Sequence, residues 1–138
     1  MSCAWLSTMS DARMLSMSIA SNETSLDMLP VRRGESVARE LAGRPLFRYV
    51  DGRHAREQRH PGPVFVTSTP YRPEDLQVYL ALSGWPAVRT FVLRLDPMKL
   101  GSIRGPRWCD VGIGVEYVLL RGYEPEAVLD PDGAVEIR

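Results

Sequence analysis

The chain of 138 residues is poor in cysteine: Cys3 and Cys109 are the only two, and neither lies in a Cys–x–x–Cys pair or a His/Cys cluster. Neither a zinc site nor a disulfide framework is expected from so few. A bridge between them would pin a segment that otherwise reads as free, so reduced thiols in a cytosol-like compartment are the expectation. Net charge is also lacking, because 17 Lys and Arg balance 17 Asp and Glu. No global field draws the chain to nucleic acid or membrane, although a local patch would suffice for nucleic acid. No run approaches the roughly 20 apolar residues that span a bilayer. A signal peptide needs a basic start and an apolar stretch of about 7–15 residues. Here Asp11, Arg13, Asn22, Glu23 and Asp27 leave only Met14 to Ala20, diluted by Ser16 and Ser18. There is no internal repeat. What remains is ordinary globular usage, 44% hydrophobic and 25% charged, which fits one domain and argues against wholesale disorder.

Residues 1–30, rich in Met and Ser, read as a flexible leader, and Met9, Met14, Met17 and Met28 would each serve as a later start. Residues 31–44 read as a short helix and linker, with Val37 and Leu41 on one face and Gly43 and Pro45 ending it. The globular domain is expected over 45–138. Leu46 to Val50 is a strand closed by Asp51-Gly52, residues 51–62 are a charged loop, and Pro63 to Ser68 is a second strand. Pro73, Glu74 and Asp75 suit a helix start, with Leu76, Tyr79, Leu80 and Ser83 on its apolar stripe and Gly84 as its stop. After the turn at Trp85-Pro86, Val88 to Leu95 is a strand. Residues 96–112 read as irregular, broken by Pro97, Gly101, Gly105 and Pro106. Val115 to Leu120 is a strand, and a short element is expected at Ala134 to Ile137. Strands dominate without a repeating βαβ rhythm. The expected class is therefore α+β: a single domain of mostly antiparallel or mixed sheet with one main helix.

Three features fall near strand ends. They are Phe47-Arg48-Tyr49, then Thr67-Ser68-Thr69-Pro70-Tyr71, then Gly112-Ile113-Gly114-Val115-Glu116-Tyr117-Val118. In the third, the pleat puts Glu116 on the face of Val118 and Leu120, where a lone carboxylate is costly unless paired, exposed or functional.

In chain order these supply Arg, Ser/Thr and Glu. That order resembles the Arg–Ser–Glu signature of the ADP-ribosyltransferase superfamily. The wider run adds Leu80-Ala81-Leu82 and Trp85-Pro86 and extends over residues 45–130. It is similar to the C-terminal toxin modules of bacterial polymorphic and Rhs-type toxins. The resemblance implies a split sheet whose cleft holds NAD as co-substrate, with no metal. It implies Glu116 as the carboxylate facing the positive charge that develops on the ribose, and Arg48 as the ligand of the cofactor's phosphates and ribose. Ser68, flanked by Thr67 and Thr69, braces the pocket and orients the glutamate, and Tyr71 stacks on the nicotinamide. A bacterial toxin or effector acting in the cytoplasm, its own or a target cell's, is implied. So are a protein or nucleic-acid acceptor and a place for an immunity protein among its partners. One departure stands out: many members carry Glu or Gln two residues before the catalytic Glu to activate the acceptor, and here that residue is Gly114. The acceptor is therefore unreadable, and the fold could persist as a non-catalytic interaction module.

Each residue also has a plain structural reading. Arg48 is then a solvated strand arginine, Glu116 an ion-paired strand residue meeting Arg94, and Thr67-Ser68-Thr69-Pro70 a strand end leading into a turn. Gly112 and Gly114 then only shape a bulge, and Trp85 and Trp108 are packing anchors. A rival site is the loop with His54 and His60 among Arg53, Arg56 and Arg59, which offers an acid–base pair and phosphate contacts for a metal-independent ribonuclease.

Overall fold

Short segments of alternating, β-branched and aromatic residues have one economical solution, which is to pair as strands and turn their apolar faces inward. A computed structural model of the chain describes residues 26–72, 91–108 and 114–137. Among them are β1 (Arg32–Arg33), α1 (Gly34–Glu40), β2 (Leu46–Val50), β3 (Val64–Val66), β4 (Phe91–Leu95), β5 (Ser102–Trp108), β6 (Val115–Leu119) and β7 (Val135–Glu136). The strands form two antiparallel sheets, a four-stranded one in the order β1-β5-β6-β3 and a three-stranded one in the order β2-β4-β7. The domain is α+β and mostly sheet, as the sequence led us to expect. No described helix is long and apolar enough to cross a membrane.

One core joins the two sheets. Leu46, Leu93 and Leu95 of the three-stranded sheet pack with Val64, Val66, Ile103, Tyr117 and Leu119 of the four-stranded one, and Val37 and Leu41 close the cluster from the α1 side. Full burial of each such aliphatic side chain is worth about 1.5–3 kcal/mol. Residues 31–44 thus belong to the fold and do not serve merely as a linker. Arg32 and Arg33, which we read as part of the helix, instead pair with Ile103 and Ser102 as an edge strand. The Arg32 guanidinium fixes this edge, donating to Glu40 (2.8 Å), Ser36 (3.0 Å) and the Gly105 carbonyl (3.1 Å).

The largest difference from the sequence reading lies in residues 96–112. Part of this stretch, Ser102–Trp108, is the longest described strand. Its apparent breakers sit where the ladder is interrupted anyway. Ile103 and Arg104 pair with Leu119 and Val118, Arg107 and Trp108 pair with Glu116 and Val115, and the register shifts between the two halves. Proline has no N–H to give a ladder, and a bulge is where a strand tolerates it. Trp108, 5% exposed, is buried as a packing residue should be. Arg104 donates to the carbonyls of Asp27 and Leu29, which fastens the end of the expected leader to β5. The rest of that leader with Cys3, the expected helix at 73–84, Trp85-Pro86, the first residues of the strand at 88–90, Cys109 and Gly112 lie outside the described residues.

Candidate functional site

The edge strands β2 and β3 bring the two sheets together at a single described backbone pair. The Phe47 amide donates to the Thr67 carbonyl (2.7 Å) and the Thr67 amide to the Phe47 carbonyl (3.0 Å). Beyond that pair both strands line a cleft of about 960 Å³, which is closed on its other side by the loop 51–63 and includes Glu116. Arg48, Thr67 and Glu116 all line this cleft, and so do His54 and His60. The two constellations legible in the sequence therefore share one cavity.

Arg48 is half-buried on β2. Its Nη1 donates to the Tyr123 hydroxyl (2.8 Å), and the guanidinium sits 5.5 Å from the centre of the Tyr123 ring, a cation–π contact. Among the described residues no carboxylate meets it, whereas Arg53, Arg59, Arg94 and Arg107 each have one. A guanidinium carries five N–H donors in a fixed fork, so most of this one's donor capacity is available to an anion in the cleft.

Glu116 is held from the neighbouring strand. Arg107, directly opposite it in the β5–β6 register, donates through Nε to Glu116 Oε1 (3.0 Å), and the two side chains are only 5% and 12% exposed. The partner foreseen for Glu116, Arg94, instead forms a two-pronged bond with the buried Asp130 (2.8 and 3.1 Å). Thr67, fully buried, donates its hydroxyl to the Val115 carbonyl (2.7 Å), clamping β6 to β3 one residue before Glu116.

Ser68, Thr69 and Tyr71 do not line the cleft. The Ser68 hydroxyl is close enough to the Tyr117 phenol to lower its pKa, against the larger upward effect of burial. The Thr69 amide donates to the Thr67 hydroxyl (3.3 Å). Tyr71 packs against Tyr49, whose phenol oxygen accepts the Tyr71 amide (2.6 Å). Phe47, Tyr49 and Phe65 all line the cleft, and Phe65, 59% exposed on β3, is the most exposed of the three.

The loop wall is built on Asp51. Its Oδ1 accepts from the Arg53 and His54 amides (3.1 and 3.2 Å), an Asx turn. Desolvation works the other way, but the His54 amide and the charges of His54 and Arg53 hold the Asp51 carboxyl below its ordinary range. His54 Nδ1–H donates to Glu57 Oε1 (2.8 Å). His60 is arranged differently: its Nδ1 accepts the Gly62 amide (2.9 Å), which puts the proton of the neutral ring on Nε2. Burial, and then the Arg48 charge, lowers its pKa. The wall is fastened at both ends. His60 and Tyr123 exchange backbone bonds (3.0 Å each), and the Ala134 amide donates to the Ala55 carbonyl (2.6 Å). Among the described residues no group of His, Cys, Asp and Glu is placed to hold a metal ion.

Comparison with protein-family models, with curated proteins and with solved structures finds no match. The site must therefore be judged on its own geometry. Three contributors escaped the sequence: Arg107, Tyr123 and Phe65. Arg107 was hidden behind Gly105-Pro106, which masked its strand. Tyr123 lies in a turn with no periodicity. Only Phe65 left a signal, an aromatic flanked by two valines that the pleat sends to the opposite face.

Two tyrosines that frame the site give a pH signature. Burial pushes the Tyr49 phenol up to about 12, partly offset by its bond to Tyr71. Burial and then the Glu40 charge push Tyr117 to about 12. A pKa raised above the unfolded value of about 10 means that the neutral phenol stabilises the fold. That stability is complete below about pH 10 and is lost between there and about pH 12. Phenolate absorbance should therefore show two tyrosines ionising only near pH 12, together with a fall in the urea midpoint over the same window. Titration of every tyrosine near pH 10 would contradict the packing described here.

Proposed function

We propose that the protein is an NAD-dependent ADP-ribosyltransferase-like enzyme, of the kind used as bacterial toxins and effectors, that transfers ADP-ribose to a macromolecular acceptor. One observation carries the reading: an Arg48 guanidinium without a carboxylate partner among the described residues shares a cleft with the anchored Glu116 carboxylate. NAD has this polarity, with an anionic pyrophosphate at its middle and a ribose that becomes positive as nicotinamide departs. Arg48 would bind the phosphates through its remaining donors. Glu116, held by Arg107, would face the oxocarbenium-like charge on the ribose. Thr67 would fix the strand that carries Glu116. Ser68 would act one step removed, through Tyr117, and the exposed Phe65 face offers an apolar surface to a planar ring.

The experiment is nicotinamide release from NAD by the purified full chain, with NAD binding measured beside it. Arg48→Ala should weaken NAD binding by about 10–100-fold, the equivalent of about 1.5–3 kcal/mol for a charge-assisted bond. Equal affinity in the variant would remove Arg48 from the site. The ribonuclease reading retains one specific support, that His54 and His60 line the same cleft. It requires RNA cleavage that NAD does not affect and that His54→Ala abolishes. Absence of NAD binding and of both activities would leave the interaction module.

A further inference from the structure

We propose that His54, held by Glu57, is the base that takes the proton of the incoming acceptor, the task for which the chain has no side chain at Gly114. This rests on the reading of the cleft as an NAD site. Gly114, the residue before β6, is buried and has no side chain to offer. The cleft has a second wall, and on it His54 is set as a base must be. Its Nδ1–H is committed to Glu57 Oε1 (2.8 Å), which leaves Nε2 of the neutral ring with its lone pair. Its side chain is 47% exposed, so it is open to an acceptor arriving from solvent. Asp51 Oδ1, 3.8 Å from Nε2, offers a second carboxylate to the imidazolium once the ring has taken a proton.

His60 is not equivalent to His54. Its Nδ1 is already an acceptor for the Gly62 amide, so in the neutral ring Nε2 bears hydrogen and cannot receive another. The charged groups facing His54 are Asp51, Arg53 and Glu57 on its own loop, and His60 farther along that loop. Arg59, Arg48 of β2 and Glu116 of β6 line the same cavity.

The step balances without any further reactant. The bond between ribose C1′ and the nicotinamide nitrogen breaks, and its electron pair leaves with neutral nicotinamide. A lone pair of the acceptor oxygen forms the new bond to C1′, and its proton passes to His54 Nε2 and then to solvent. With water as acceptor, NAD⁺ and water give ADP-ribose, nicotinamide and one proton. Glu116 stabilises the cationic sugar, and Glu57 is a positioning residue that sets the tautomer of His54.

The test uses the full chain, NAD and water as acceptor, with nicotinamide release followed across about pH 5 to 8. Wild-type kcat should rise through this range. His54→Gln should flatten the profile and lower the plateau by about 10²–10³-fold, in the range typical of general-base catalysis. Its affinity for NAD should stay at the wild-type value, and Glu57→Gln should shift the midpoint. Sodium azide needs no deprotonation to attack C1′. It should therefore restore release in His54→Gln, forming ADP-ribosyl azide, and leave Glu116→Gln inactive. A His54→Gln variant with the wild-type rate and profile would overturn the assignment while leaving the NAD reading intact. A folded, NAD-binding His54→Gln variant that azide does not accelerate would overturn it equally. Absence of release by wild type at every pH would bring down both readings together.

Discussion

Glu116→Gln is expected to lower kcat for nicotinamide release by on the order of 10²–10³-fold, with NAD affinity little changed, because it removes the charge that faces the transition state and keeps the shape. The choice of glutamine matters. Arg107 is 4% exposed and donates its Nε–H to Glu116. Truncation to alanine removes the acceptor of its Nε–H in a buried setting, where a lost hydrogen bond to a charged group costs about 1.5–3 kcal/mol. Glu116→Ala should therefore lose activity and stability together, whereas Glu116→Gln keeps an oxygen for the Arg107 Nε–H to donate to and should lose activity first. Steady-state turnover beside a urea melt separates the two effects. Undiminished turnover in the glutamine variant would exclude Glu116 from the chemistry.

Gly122→Ala should be the most damaging single change in the described backbone. Gly122 has a φ of +60°, and a Cβ there would stand 1.8 Å from the His60 carbonyl oxygen and 2.7 Å from the Gly62 nitrogen. Both obstacles are main chain, so no rotamer change relieves them. The turn 120–123 must then withdraw from the loop and break the paired bonds between His60 and Tyr123. We expect a loss of about 3 kcal/mol, the upper end for overpacking, read as a lower urea midpoint. Tyr123 also accepts from Arg48, so weaker NAD binding should accompany it. An unchanged midpoint would show that the two turns do not depend on their close approach.

Strand positions with simple alternation were legible. Leu46–Val50 forms where it was expected, and Val64–Val66, Val115–Leu119 and Val135–Glu136 fall inside the expected segments. Pleat geometry and apolar burial determine such segments locally. Pairing partners were not legible. Nothing local says that Arg107 crosses to Glu116 while Arg94 reaches Asp130, because both depend on register between strands distant in sequence. The edge strand at Arg32–Arg33 was missed for the same reason, since its ladder is supplied by Ser102 and Ile103. In the site, Arg48, Thr67 and Glu116 could be named from motif order. That the histidine loop would line the same cavity could not, because a loop's path is set by its anchors at Tyr123 and Ala134.

Those anchors have a consequence for how such a chain can change over generations. The loop contributes few apolar side chains to the interior; it borrows its shape from Tyr123, from Ala134 through the Ala55 carbonyl, and from the Asp130 carbonyl through Gln58. Asp130 is in turn anchored by the Arg94 backbone and guanidinium. Insertions or deletions that shift the backbone of 51–62 would therefore break its bonds to Tyr123, Ala134 and Asp130, whereas most side-chain substitutions there leave those bonds intact. A loop grafted from another chain would keep this geometry only with backbone partners at 123 and 130–134.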